Sequence, residues 1–114
     1  MVSNSLDKSS FDYLCNAFLS LKTPEEVSDF LGDICTVPEI KAMTQRLHVA
    51  KMLYTNYVYT DIVDATKAST ATISRVNRTL NDGRNNEISG RGYKCVLARM
   101  GEVSKPESVR KGRK

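Results

Sequence analysis

Apolar residues recur along this chain at three- and four-residue intervals, the spacing of one face of an α-helix. Phe11, Leu14, Cys15, Phe18 and Leu21 form the first stripe. It is wide and aromatic, and either a second subunit or the rest of the chain must cover it. Val27, Phe30, Leu31 and Ile34 form the next. The Thr23-Pro24-Glu25-Glu26 segment before it reads as a helix start: an N-cap, a proline at the first position, and acids near the positive end of the dipole. Thr36 and Glu39 have capping-box spacing and open a longer helix that buries Ile40, Met43, Leu47, Ala50 and Leu53. Ile62, Val63 and Thr66 mark a short fourth helix, with Thr60 and Asp61 suited to start it. Ile73, Val76 and Leu80 mark a fifth, and Tyr93, Val96, Leu97 and Met100 a sixth. The pattern predicts an all-α fold of six short helices. Residues 1–8 are expected to be disordered, residues 9–102 to form the domain, and residues 103–114 to form a basic disordered tail.

The fourth and fifth helices carry the most specific signal. Lys67-Ala68-Ser69 reads as a tight turn between them, and the Ser69 hydroxyl is a good N-cap. With Ile73, Val76 and Leu80 inward, the opposite side of the fifth helix carries Ala71, Ser74, Arg75 and Arg78, flanked by Thr72. Small residues permit close approach to a major groove, hydroxyls reach bases or phosphates, and arginine reads guanine or pairs with phosphate. That outward face has no acid. An ordinary surface helix pair with a polar face has the same periodicity, so spacing alone leaves both readings open.

Charge separates them further. The net charge of +4 divides unevenly: residues 1–66 carry five basic and nine acidic side chains, while residues 67–99 carry seven basic and two acidic. The sign changes at the turn of the helix pair, so the second half suits a nucleic-acid polyanion and the first does not. No apolar run approaches the ~20 residues of a membrane span, and the first ten residues, MVSNSLDKSS, lack a signal-peptide core. A cytoplasmic protein is expected. Cys15, Cys35 and Cys95 are odd in number and widely spaced, and are read as small core residues rather than a disulfide set or metal site.

Other candidate chemistry is weak. Glu25 and Glu26 are neighbours pointing ~100° apart on a helix, which suits capping better than paired acid–base work. His48 is the single histidine and has no metal or catalytic partner; it reads as a surface or boundary residue. No Gly-rich phosphate loop appears, and an enzyme is not expected. Tyr54, Tyr57 and Tyr59 cluster between the third and fourth helices, where they cover a core edge or stack on DNA sugars. The segment from Asn81 to Gly92 reads as a loop whose Arg84 and Arg91 lie within reach of phosphates. The tail either adds sequence-independent DNA affinity or only solubilises the chain.

The segment ASTATISRVNR, preceded by QRLHVAKMLY and by VPEI, resembles the Trp repressor-like family of bacterial regulators, and within it a Gram-positive branch. The likeness covers about residues 21–80 and, more loosely, 93–100. The resemblance implies an intertwined homodimer whose N-terminal helices interlock and whose two helix-turn-helix units sit about 34 Å apart, one turn of DNA. It places Ala71, Thr72 and Ser74 at base-contacting positions and Lys67 and Ser69 in the turn beside the backbone, with Thr70 opening the reading helix. Arg46, Arg75 and Thr36 match effector-pocket positions of the tryptophan-sensing members. The next pocket position is glycine in the sensors and Val76 here, which argues against tryptophan as co-repressor and leaves any small-molecule effector unidentified. Lys67 stands where the usual turn residue is glycine; if it takes φ > 0, lysine costs about 1 kcal/mol. Val63 replaces the usual alanine where the two helices cross.

The function expected is therefore a sequence-specific, DNA-binding transcriptional regulator, a repressor reading a palindromic operator as a homodimer, with no metal and no cofactor. The alternative is a helical dimerisation or protein-interaction module that has lost specific DNA reading.

Overall fold

A computed structural model of the chain describes residues 7–81 and 91–104. These contain α1 (Lys8–Leu19), α2 (Pro24–Ile34), α3 (Val37–Tyr54), α4 (Tyr59–Thr66), α5 (Thr70–Asn81) and α6 (Arg91–Arg99). The all-α expectation holds. The chain divides into two compact units, one ending at Ala42 and the other beginning at Met43.

In the N-terminal unit each helix start is set locally. Asp7 caps α1, its carboxylate accepting from the Ser10 N–H at 2.9 Å. The first helix thus begins at Lys8, inside the stretch read as disordered; residues 1–6 of that stretch lie outside the described residues. Thr23 caps α2, its hydroxyl accepting from the Glu26 N–H at 3.1 Å, while Glu26 accepts from the Lys22 N–H at 2.8 Å. Thr36 and Glu39 form the reciprocal box at the start of α3: the Thr36 N–H donates to Glu39 at 2.8 Å, and the Glu39 N–H donates to the Thr36 hydroxyl at 3.2 Å. The Thr36 N–H and hydroxyl hold the Glu39 carboxyl below its ordinary value.

The apolar stripes of α1 and α2 exist but are not core. Neither helix buries a residue in the single chain. The Phe18 and Phe30 rings meet edge to face at 5.1 Å, yet Phe18 is 41% exposed, Ile34 49% and Leu19 81%.

The C-terminal unit has a real core: Val49, Ala50, Ile62, Ala68, Ile73, Val76 and Leu97, with Leu47, Met52, Leu53, Tyr54, Tyr57, Val63 and Tyr93 packed around it. The α3 stripe was read too narrowly. Met43 is exposed, and the fully buried residues are Val49 and Ala50. Residues from several sides of the helix reach the core, so a single seam does not describe it. α4 begins at Tyr59, before the expected Thr60 and Asp61; its N-cap is Val58, with no side-chain cap bond. Burial of Ile62 at 0% exposure fixes this helix, not a capping side chain. α6 begins at Arg91, so the expected loop gives up Arg91 and Gly92 to a helix; residues 82–90, including Arg84, lie outside the described residues. α6 buries Leu97 and leaves Val96 and Met100 exposed. Gly101 at φ 89 ends it, with the Glu102 N–H returning to the Leu97 carbonyl at 3.0 Å. Glu102 then pairs with Lys51 of α3 at 3.6 Å. Of the tail, only Val103 and Ser104 are described.

The cysteines correct another expectation. Cys15 and Cys95 are exposed, Cys35 is half-buried, and all are free thiols. Cys15 lies on the α1 face that the single chain leaves open, and Cys95 on the outer side of α6. Among the described residues no helix is long and apolar enough to cross a membrane, and no group of His, Cys, Asp or Glu could hold a metal ion.

Candidate nucleic-acid interface

The helix pair α4–α5 is built by local chemistry and then fixed by packing. At the end of α4 the Thr66 hydroxyl donates to the Ile62 carbonyl at 2.7 Å and accepts from the Ala68 N–H at 3.2 Å. The Thr66 carbonyl, an open group at a helix end, accepts from the Gln45 side-chain amide of α3 at 3.1 Å. Lys67 then turns the chain through the left-handed region, φ 62 and ψ 14, its N–H donating to the Val63 carbonyl at 2.8 Å. The condition attached to lysine at this position is met: φ is positive, and a non-glycine residue bears the cost. Ala68 is tucked into the core at 3% exposure, where a larger side chain would hold the helices apart.

Ser69 caps α5 as expected. Its hydroxyl accepts from the Thr72 N–H at 3.1 Å and donates to the Thr72 hydroxyl at 3.1 Å. Ile73, Val76 and Leu80 face inward and are buried. The other side presents Thr70, Ala71, Arg75 and Arg78 to solvent, with Thr72 and Ser74 half-buried beside them. Lys67 and Ser69 are also exposed. Every residue proposed for DNA contact thus lies along α5 or on its N-terminal lip, and none is shut in the core. Thr72 is the exception in chemistry: its hydroxyl is engaged by Ser69, so it supports the cap as well as the surface. α5 contains no acidic residue, and its N-terminus adds the positive end of the helix dipole.

The effector-pocket positions are a different matter. Arg46 on α3 and Arg75 on α5 are both exposed. Thr36 belongs to the N-terminal unit, where its side chain is held in the capping box with Glu39. Val76 is 3% exposed and part of the core. A cavity of about 590 Å³ does exist in the C-terminal unit, but none of Thr36, Arg46 or Arg75 lines it. Its wall includes Tyr54, Tyr57 and Tyr59, the cluster read from the sequence as a core edge.

Two structural features of the site were not read from the sequence. The Gln45 bond to the Thr66 carbonyl ties the helix pair to α3 across the fold, and only the polar residue at that register hinted at it. Thr55 is buried at 6% exposure, its hydroxyl donating to the Lys51 carbonyl at 3.0 Å, and Asn56 follows at φ 67. Asparagine is among the side chains that tolerate this region.

Comparison with known proteins places this geometry. The family model described as Trp repressor protein matches residues 9–100. The uncharacterized protein YerC of Bacillus subtilis (strain 168) is 44% identical over 97 residues, 85% of this chain and 88% of the relative. The crystal structure of a TrpR-like protein from Eubacterium eligens ATCC 27750 superposes with a TM-score of 0.78 at 45% identity, covering 90% of this chain and 100% of that one. That of a putative Trp repressor from Staphylococcus aureus superposes at 0.80 and 39% identity, covering 92% and 99%.

Proposed function

The chain belongs to the Trp repressor family, and on that footing we propose that it is a sequence-specific DNA-binding regulator that acts in the cytoplasm as a homodimeric repressor. The observation that carries this reading is the face of α5. A helix capped by Ser69 and anchored by Ile73, Val76 and Leu80 presents Ala71, Arg75 and Arg78 to solvent without one acid. Thr70, Ala71, Thr72 and Ser74 face base edges. Arg75 and Arg78 contact guanine or phosphate, and Lys67 and Ser69 sit against the sugar–phosphate backbone.

The uncovered apolar faces of α1 and α2 support the dimer. Phe18, Leu19, Val27 and Ile34 are more than a third exposed, and large contiguous apolar patches mark interaction surfaces. A second copy would cover them and present α5 twice, which makes a palindromic operator the matching site. Tryptophan is not proposed as co-repressor, because Val76 is core where the sensing members have glycine.

The test is binding of the purified full-length chain to a duplex enriched from a random pool. Arg75→Ala and Arg78→Ala should each lose specific binding while helix content stays unchanged. Each should also lower the salt slope of log K by about one phosphate contact. Unchanged affinity in both variants rules out α5 as the reader and favours a protein-interaction module.

A further inference from the structure

The cavity of about 590 Å³ in the C-terminal unit has the size of a small-molecule site, for which about 300–1,000 Å³ is usual. Its position gives it consequence. The wall joins the end of α3, the connector through Asn56 and Tyr57, the last turn of α5, α6, and Ser104 beyond it. A molecule bound there would bear on the far end of the reading helix, opposite its DNA-facing N-terminus. It would also touch α6, which packs on α5.

The lining defines the chemistry. Leu53 and Leu80 supply an apolar part. Tyr54, Tyr57 and Tyr59 bring three aromatic rings to one wall, and such rings favour offset or edge contact with another flat ring. Asn77 and Asn81 add carboxamides that donate and accept; the Asn81 amide donates to the Asn77 carbonyl at 2.7 Å, which fixes the two as a pair. Lys94 adds a cation, and no acid is among the described lining residues. An ammonium without a competing carboxylate favours an anion, and the rings favour a flat one. Asn56 holds this wall in a left-handed backbone, φ 67, and strained non-glycine backbone gathers at ligand sites.

We propose that this cavity is an effector site for a small aromatic carboxylate, held by the tyrosine rings and Lys94, and that it is separate from the Arg46 and Arg75 positions. Occupancy ties α5 to α3 and α6 and so sets the stiffness with which α5 meets DNA. The binding itself does not depend on DNA reading, so its test stands apart from that of the proposed function.

Calorimetry on the full-length chain tests it, with 4-hydroxyphenylacetate as probe and 4-hydroxyphenylacetamide as the uncharged control. The carboxylate is expected to bind saturably, one per chain, with Kd below about 1 mM. The amide should bind at least about tenfold more weakly, a difference of about 1.4 kcal/mol. Lys94→Gln, at an exposed position, should erase the preference for the carboxylate with helix content unchanged. Tyr59→Leu, at the rim, should weaken both ligands. Absence of saturable binding overturns the proposal. So does a preference that survives Lys94→Gln, an unchanged affinity in Tyr59→Leu, or loss of binding in Arg46→Ala.

Discussion

Lys67 offers a direct test of the turn geometry. It sits at φ 62 and ψ 14 at the end of α4, with its side chain exposed. Left-handed backbone costs a residue with a Cβ about 1–2 kcal/mol. Glycine removes that cost but adds about 0.4–1 kcal/mol of conformational entropy to the unfolded chain. Lys67→Gly should therefore be more stable than Lys67→Ala by about 0.5–1 kcal/mol. Both variants lack the ammonium, so the comparison isolates the backbone. Urea unfolding at one fixed chain concentration is the assay, because association adds stability by mass action. The glycine variant should show the higher midpoint at an unchanged slope. The same pair separates strain from DNA contact: both should bind duplex equally, and both more weakly than the parent, with the salt slope reduced by about one. An alanine variant as stable as the glycine variant would refute the reasoning, since it would mean that the left-handed turn carries no cost here.

Three further outcomes follow from the same geometry. Ser69→Ala removes the acceptor for the Thr72 N–H and should cost about 1 kcal/mol in urea unfolding. Leu97→Ala empties a core position that is 2% exposed and should cost about 2–5 kcal/mol, seen as a lower urea midpoint. Glu39 has a folded pKa below its ordinary 4.5 because Thr36 donates to it. Its contribution is therefore fully present above that ordinary value and is lost as pH falls through the folded one. Glu39→Gln should flatten the acid limb of the stability profile below about pH 5, and an identical limb in the variant would contradict the assignment.

How much of this was legible in the sequence depends on where the determining forces lie. α5 was readable because its cap, its inward spacing and its charge are all local. Ser69, Ile73, Val76 and Leu80 do in the fold what their spacing requires. The Thr36–Glu39 box was readable for the same reason. The start of α4 was not, because burial of Ile62 sets it and Val58 contributes no capping side chain. Val49 escaped notice because α3 is packed on several sides, so periodicity on one seam understates its core. The α1 stripe was visible, but whether it is covered depends on a partner surface that periodicity does not describe, and the exposure of Cys15 follows from the same cause. The cavity could not be read at all: residues from Leu53 to Ser104 form its wall, and only tertiary packing brings them together.

The central claim is that α5 is presented twice, on a dimer, to read duplex DNA. Selection of random duplexes on the purified full-length chain tests it most directly, because it reports activity and site symmetry together. The expected result is an enriched palindrome with half-sites about one helical turn apart, bound by two chains. An unenriched pool, or a single asymmetric half-site bound by one chain, would contradict it.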